Sequence, residues 1–176
     1  IDGLDVLMIV QPQGWAPEMV AKVRQYANNG GKILLFADVA PEASRLYSAQ
    51  NNDLLAADLY GLDEEWGFKF HPETVVADLA NSLLVDITNS NTGNPLFTQD
   101  VLQFVPGNEQ LTRTLPEVAN LRGVLLASAS VVTKLSQRRD ILFLPLIRAG
   151  GQSQLMPAVA AQRSINPAIL LQKFKP

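Results

Sequence analysis

Apolar and polar positions follow two different rhythms within the first forty residues. Val6–Val10 is a continuous apolar run bounded by Gln11-Pro-Gln-Gly14, the pattern of a strand buried on both faces. From Pro17 the spacing changes. Met19, Val20, Val23, Tyr26 and Ala27 recur as one helical stripe, and Pro17 falls in the first turn, where a missing N–H costs nothing. Asn29-Gly30-Gly31 stops the helix, because glycine takes the left-handed conformation without a Cβ penalty, and Ile33–Phe36 is a second buried strand. Strand, helix and strand in this order predict a right-handed βαβ unit with parallel strands.

Beyond it the pattern is more broken. Ala40–Ser48 fits a short helix. Asn51-Asn52-Asp53 reads as the N-cap of another, which carries Leu54, Leu55, Leu59, Leu62 and Trp66 and closes at Gly67. Phe68–Phe70 and Thr74–Asp78 are short extended segments around His71-Pro72, and Leu83–Ile87 alternates as a strand before a polar loop at 88–94. Asp100–Phe104 fits a strand or a helical turn, with Pro106-Gly107-Asn108 a turn beyond it. Gly123–Val132 and Ile141–Ile147 are apolar runs of strand size, joined by residues 133–140 as a hairpin connection or an exposed crossover. Asn166-Pro167 opens a last helical turn at Ala168–Lys173. Early alternation of helices with buried strands, and later strands free to pair antiparallel, predict an α/β fold: a three-layer sandwich with a mostly parallel, mixed sheet.

Composition narrows the classes. At 176 residues and 47% apolar content the chain (1–176) fits one α/β domain with a well-filled core. The formal charge is −3 and no Lys/Arg cluster exceeds a pair, which argues against a nucleic-acid partner. Absence of cysteine excludes disulfides, thiolate metal sites and cysteine nucleophiles, and leaves the redox compartment open. No run approaches the roughly 18–20 apolar residues of a membrane span. The chain opens with Ile1-Asp-Gly rather than a basic then apolar segment, so it reads as a processed or excised piece.

The wording of the first unit carries more than its pattern. Asp5-Val-Leu-Met-Ile-Val-Gln-Pro12, Gln25-Tyr26, Gly30-Gly31-Lys32 and Leu35-Phe36-Ala37-Asp38 resemble one family. Collinear matches follow in Asn52-Asp-Leu-Leu55 with Glu65-Trp-Gly-Phe68, in Val75-Val-Ala-Asp78, in Leu144-Pro-Leu-Ile-Arg148, and in Asn166-Pro167 with Lys173-Phe-Lys-Pro176. The family is the auxiliary, extracytoplasmic component of an ABC-type transport system associated with gliding motility (GldG-like). The chain departs from it at Val39, where the family often has Pro, and at Ala149, where it has Thr. The resemblance implies a fold similar to the class I glutamine-amidotransferase-like one without its enzyme. It also implies that 1–176 is an internal fragment of a larger protein tethered to the inner membrane on its periplasmic side. The partners it implies are the transporter permease or other membrane subunits, with membrane contact only through segments outside this fragment.

Candidate chemistry is sparse. Ligands in open α/β sheets sit at the carboxyl ends of parallel strands, here Gln11-Pro-Gln-Gly14 and Ala37-Asp38. Asp38 could bind a hydroxyl, a cation or a partner lysine, or could cap the helix at Pro41-Glu42. The Gln11 loop lacks the glycine triplet of a dinucleotide loop and the Lys-Ser/Thr of a Walker A loop. Gly30-Gly31 follows a helix and precedes a strand, the reverse of a phosphate cradle. His71 is the only histidine and sits beside Pro72, as in a surface turn, so a triad or histidine metal site has one available member. Asp63-Glu64-Glu65 occupy consecutive helical positions, cannot face one another as an acid/base pair, and read with Asp53 and Asp58 as a solvated face. Ser128 and Ser130 lack a nucleophile elbow and read as small residues of a buried strand; Arg138-Arg139 reads as a solvated loop tip. Arg148 follows an apolar run at a strand end, where the family pattern also has Arg; it could tie the sheet to a buried carboxylate or recognise an anion.

The function the resemblance implies is that of a non-enzymatic auxiliary domain of the transport system acting as a scaffold, and no cofactor or metal is expected. It would present loops such as Asn89–Pro95 or Gln137–Asp140 to a partner, or present a ligand. The alternative is a small-molecule or carbohydrate binding domain using the strand-end cleft near Gln11, Asp38 and Arg148. A hydrolase related to amidotransferase-like enzymes is disfavoured by the missing cysteine and the lone histidine. A scaffold should expose an apolar patch, and a binding domain should show a concave pocket with convergent polar groups.

Overall fold

The computed structural model describes residues 1, 3–41, 56–88, 93, 95–162 and 166–175. The first unit follows its sequence pattern. Strand β1 (Val6–Val10) leads into α1 (Pro17–Asn28) and β2 (Lys32–Phe36), and β1 pairs with β2 in parallel from Val6↔Lys32 to Val10↔Phe36. Pro17 lies in the first turn, and Gly30 leaves the helix at φ 85°, the left-handed conformation its stop requires. Helix α1 lays Val20 and Val23 against Ile9, with Leu7, Ile33 and Leu35 packed alongside.

Among the described residues α1 covers one face of this ribbon, and the other stays largely exposed. Val6, Met8 and Val10 of β1 and Leu34 and Phe36 of β2 are exposed, Met8 and Val10 at 63%. The expectation that both strands are buried on both faces is therefore corrected: both faces are apolar, but α1 covers one of them.

After β2 the architecture changes. A short helix α2 (Leu62–Glu65) precedes β3 (Phe68–His71), β4 (Thr74–Asp78), β5 (Ser82–Asp86) and β6 (Phe97–Phe104). Then come a 3-10 turn (Asn108–Gln110), α3 (Pro116–Ala119), β7 (Leu126–Ala127) and β8 (Val131–Lys134). The order closes with β9 (Ser153–Pro157), α4 (Val159–Gln162) and α5 (Pro167–Lys173). Strand β3 pairs with β8, β4 with β9, and β5 with β6 and on to β7, every pairing antiparallel.

The three-layer sandwich with a mostly parallel sheet is thus overturned, and with it the likeness to the class I glutamine-amidotransferase-like fold. Parallel pairing needs a crossover of a dozen or more residues, usually a helix. Among the described residues only α1 provides one; β3 and β4 are separated by Pro72-Glu73 alone and take partners from far along the chain.

Other local expectations divide. Asp100–Phe104 is strand. Asn166 caps α5 by accepting from the Ala168 amide at 2.9 Å. The helix expected from Asn51 to Gly67 is reduced to α2, because Tyr60 (φ 53°) and Gly61 (φ 75°) are left-handed and break it; residues 51–55, and residues 42–48 of the helix expected at Ala40–Ser48, lie outside the described residues. Ser128 is also left-handed (φ 56°) and divides the Gly123–Val132 run into β7 and β8. Ile141–Ile147 makes no strand; it contributes a single antiparallel bridge, Ile147 to Leu111. The main core joins β4, β6, β9 and α5 through Val75, Ala77, Val101, Leu102, Met156 and Leu170.

Candidate functional site

A groove of about 860 Å³ opens where the carboxyl ends of β1 and β2 meet β3, β7 and β8. Val10, Phe36, Phe68, Leu126, Val132 and Phe143 make its walls apolar, and Gln11, Asp38 and Ser130 add polar groups. The strand-end position is the one expected from the first βαβ unit.

Gln11 and Asp38 come together here, chiefly to hold each other. The Gln11 side-chain amide donates to the Asp38 carbonyl at 3.0 Å and accepts from the Asp38 amide at 2.8 Å. The Gln11 amide donates to the Phe36 carbonyl at 2.8 Å. Gln11 itself is left-handed at φ 46°, a conformation costing a non-glycine residue about 1–2 kcal/mol. Its side chain thus locks a strained turn and keeps the two strand ends in register.

Asp38 accepts from the Ala40 amide at 2.9 Å through Oδ1, an Asx turn two residues on, while its carbonyl takes the Ala57 amide. Its capping role is therefore local, and the helix it was expected to cap falls outside the described residues. Arg148 is not brought to this cleft. It is exposed, its backbone amide donates to the Gln110 carbonyl at 2.9 Å, and its guanidinium forms no ion pair among the described residues.

The polar centre that sequence reasoning missed lies beneath Arg148. Asp78, fully buried at the end of β4, accepts from the Asn81 amide (3.0 Å), the Asn81 side chain (3.1 Å), Gln110 (3.0 Å) and Ser153 of β9 (3.1 Å). Burial pushes its carboxyl up, but the Asn81 amide and then the Gln110, Asn81 and Ser153 side chains outweigh burial and hold it below the usual aspartate value. Gln110 also receives the Gly107 amide on Oε1. A Cβ at Gly150 would stand 2.5 Å from Gln110 Nε2, so a larger residue there would have to displace the Gln110 amide from this hub. The carboxylate ending the apolar run Val75-Val-Ala-Asp78 was the available signal.

The remaining titratable groups are tied locally. Asp63 is not on a solvated face: it is buried and accepts from the Phe70 amide at 3.0 Å, joining α2 to β3. Glu64 pairs with Lys69 (2.9 Å) and Glu65 with Arg24 (2.7 Å), and the bond from Arg24 holds the Glu65 carboxyl below its ordinary range. Arg138 is more than a loop tip, since it bonds Asp140 and the Glu65 carbonyl.

His71 contacts Glu73 through Nδ1 (3.0 Å) and Thr133 through Nε2 (2.9 Å), an acid–imidazole–hydroxyl row. His71 and Thr133 lie on the β3–β8 ladder and Glu73 in the turn after β3, and none of the three lines the groove. Among the described residues no group of three His, Asp or Glu side chains gathers to hold a metal ion, and no helix is long and apolar enough to cross a membrane.

No curated protein and no solved structure matches the chain. A family model described as "ABC-type uncharacterized transport system" matches residues 1–176, the whole sequence. This chain therefore belongs to that family, the auxiliary components of ABC-type transport systems.

Proposed function

We propose that this auxiliary component is non-enzymatic and works by protein–protein contact, through the uncovered apolar face of β1 and β2. The observation carrying the reading is that face: Val6, Met8, Val10, Leu34 and Phe36 stand in two adjacent rows and stay exposed, Val10 and Phe36 at the end that also walls the groove. The finer assignment rests on the sequence resemblance. The chain is an extracytoplasmic domain of the gliding-motility-associated type, part of a larger protein held at the inner membrane, beside the permease or other membrane subunits. Photo-crosslinking in intact membranes tests it. A crosslinker at Met8 should join the chain to another polypeptide, and one at exposed Lys22 on α1 should not; equal labelling, or none, sinks the contact reading.

A second reading is favoured by the apolar groove, which would take a small apolar or sugar-like molecule against Asp38. It ranks lower because the Gln11 amide is spent on the Asp38 backbone and Arg148 lies elsewhere. A ligand that raises the melting temperature by several degrees, with the shift lost in Asp38→Ala, would reverse the ranking.

A further inference from the structure

On the reading that the β1–β2 face is a contact surface, we infer that its occupant is a second copy of this chain, packed antiparallel about a two-fold axis. The outward row of β2 opens on a cation, is apolar through its middle and is followed by a carboxylate. Lys32, exposed, begins the outward row of β2 beside Val6; Leu34 and Phe36 continue it. Asp38, two residues past Phe36, lines the groove next to it. Val6, Met8 and Val10 run parallel on β1 and add no charge. Neither Lys32 nor Asp38 takes part in an ion pair among the described residues.

A two-fold axis requires that each contact occur twice with the partners exchanged. Lys32 and Asp38 are about 20 Å apart along the strand at 3.3 Å per residue. An axis passing between Leu34 and Phe36 therefore sets Lys32 of each copy against Asp38 of the other. The same axis lays Leu34 of each copy over Phe36 of the other and Met8 over Val10, as two sheets pack face to face at about 10 Å. A parallel arrangement of the two ribbons would oppose lysine to lysine and aspartate to aspartate, so the charges select the antiparallel one. Val10 and Phe36 also wall the groove, so the apolar contact runs on past the ribbon.

Sedimentation equilibrium of the 176-residue chain tests the inference. The expected mass at roughly 0.1 mM is twice the 19.2 kDa of the chain, with dissociation favoured by salt. Met8→Glu should weaken the dimer about a hundredfold or more by burying an unpaired charge, with the far-UV spectrum unchanged because Met8 is outside the core. Lys32→Gln and Asp38→Asn should each weaken it about fivefold, and the double variant no more than either alone. Asparagine still accepts from the Ala40 amide, so the turn is kept. A chain of monomer mass at this concentration overturns the second copy, and losses that simply add overturn its antiparallel arrangement. The membrane crosslink at Met8 then decides the underlying reading separately: an adduct with a different polypeptide preserves it, and no adduct removes it as well.

Discussion

The strands β1 and β4 read alike in sequence, as short continuous apolar runs, yet they meet opposite fates. Val75 and Ala77 of β4 are wholly buried, with β9 beside them and β6 against them, whereas Met8 of β1 keeps 63% of its surface. An apolar run thus reports that both faces of a strand are apolar; it does not report that the same chain covers both. The two regions also differ in how polar groups serve them. The β4–β9 pair is closed by a buried carboxylate with four donors, and the β1–β2 ribbon by the reciprocal Gln11–Asp38 bonds at its open end.

The comparison is broken most severely at Asp78. Asp78→Ala leaves buried donors on Asn81, Gln110 and Ser153 without an acceptor and should cost about 3 kcal/mol in urea unfolding. The carboxyl sits below its unfolded value of about 3.9, so its stabilisation is complete above that pH and lost as pH falls through the folded value. The stability gap between wild type and Asp78→Asn should accordingly shrink on acidification below about pH 4. A gap constant down to pH 2 would mean that the carboxylate charge does not hold the hub.

A smaller loss is expected at the open end of the ribbon. Gln11→Ala removes the bonds that hold the left-handed turn and should cost about 1–2 kcal/mol in the same measurement. Faster amide exchange at Asp38 would accompany it. Gln11→Gly, which relieves the strained φ but not the lost bonds, should recover part of the cost.

The smallest effect belongs to the bare face. Met8→Gln should change monomer stability by no more than about 0.5 kcal/mol, because the side chain has little packing to lose. A loss of 2 kcal/mol would show that this face is covered within one chain and erase the contrast with β4.

Legibility in the sequence followed the range of the interactions. The limits of β1, α1 and β2 could be read because Pro17, Gly30 and two apolar runs punctuate a local unit. The α5 cap could be read because Asn166 and Ala168 are two residues apart. Pairing of β4 with β9 and of β3 with β8 could not, since partner choice depends on residues far along the chain. The expected parallel sheet failed for that reason, by extending the first unit's logic to strands that lack crossover helices.

At the candidate site, Gln11 and Asp38 stand just past the ends of β1 and β2. Their mutual bonding was hidden because it uses backbone atoms as well as side chains. Arg148 was drawn to the same cleft by its strand-end position, but Ile141–Ile147 is not a strand, and its end lies over Gln110 instead.

The separation of Asp78 from Ser153 sets a timetable for synthesis. Ser153 follows Asp78 by 75 positions. At about 5–20 residues per second, roughly 4–15 s pass between the emergence of β4 and that of its partner. The β1–α1–β2 unit can form at once from local contacts, whereas β4 must wait for closure of a long loop, the slow kind of step in chains dominated by distant pairings. For that interval an emerging chain carries β4 unpaired and the β1–β2 face bare, and this is when it is most open to wrong pairing.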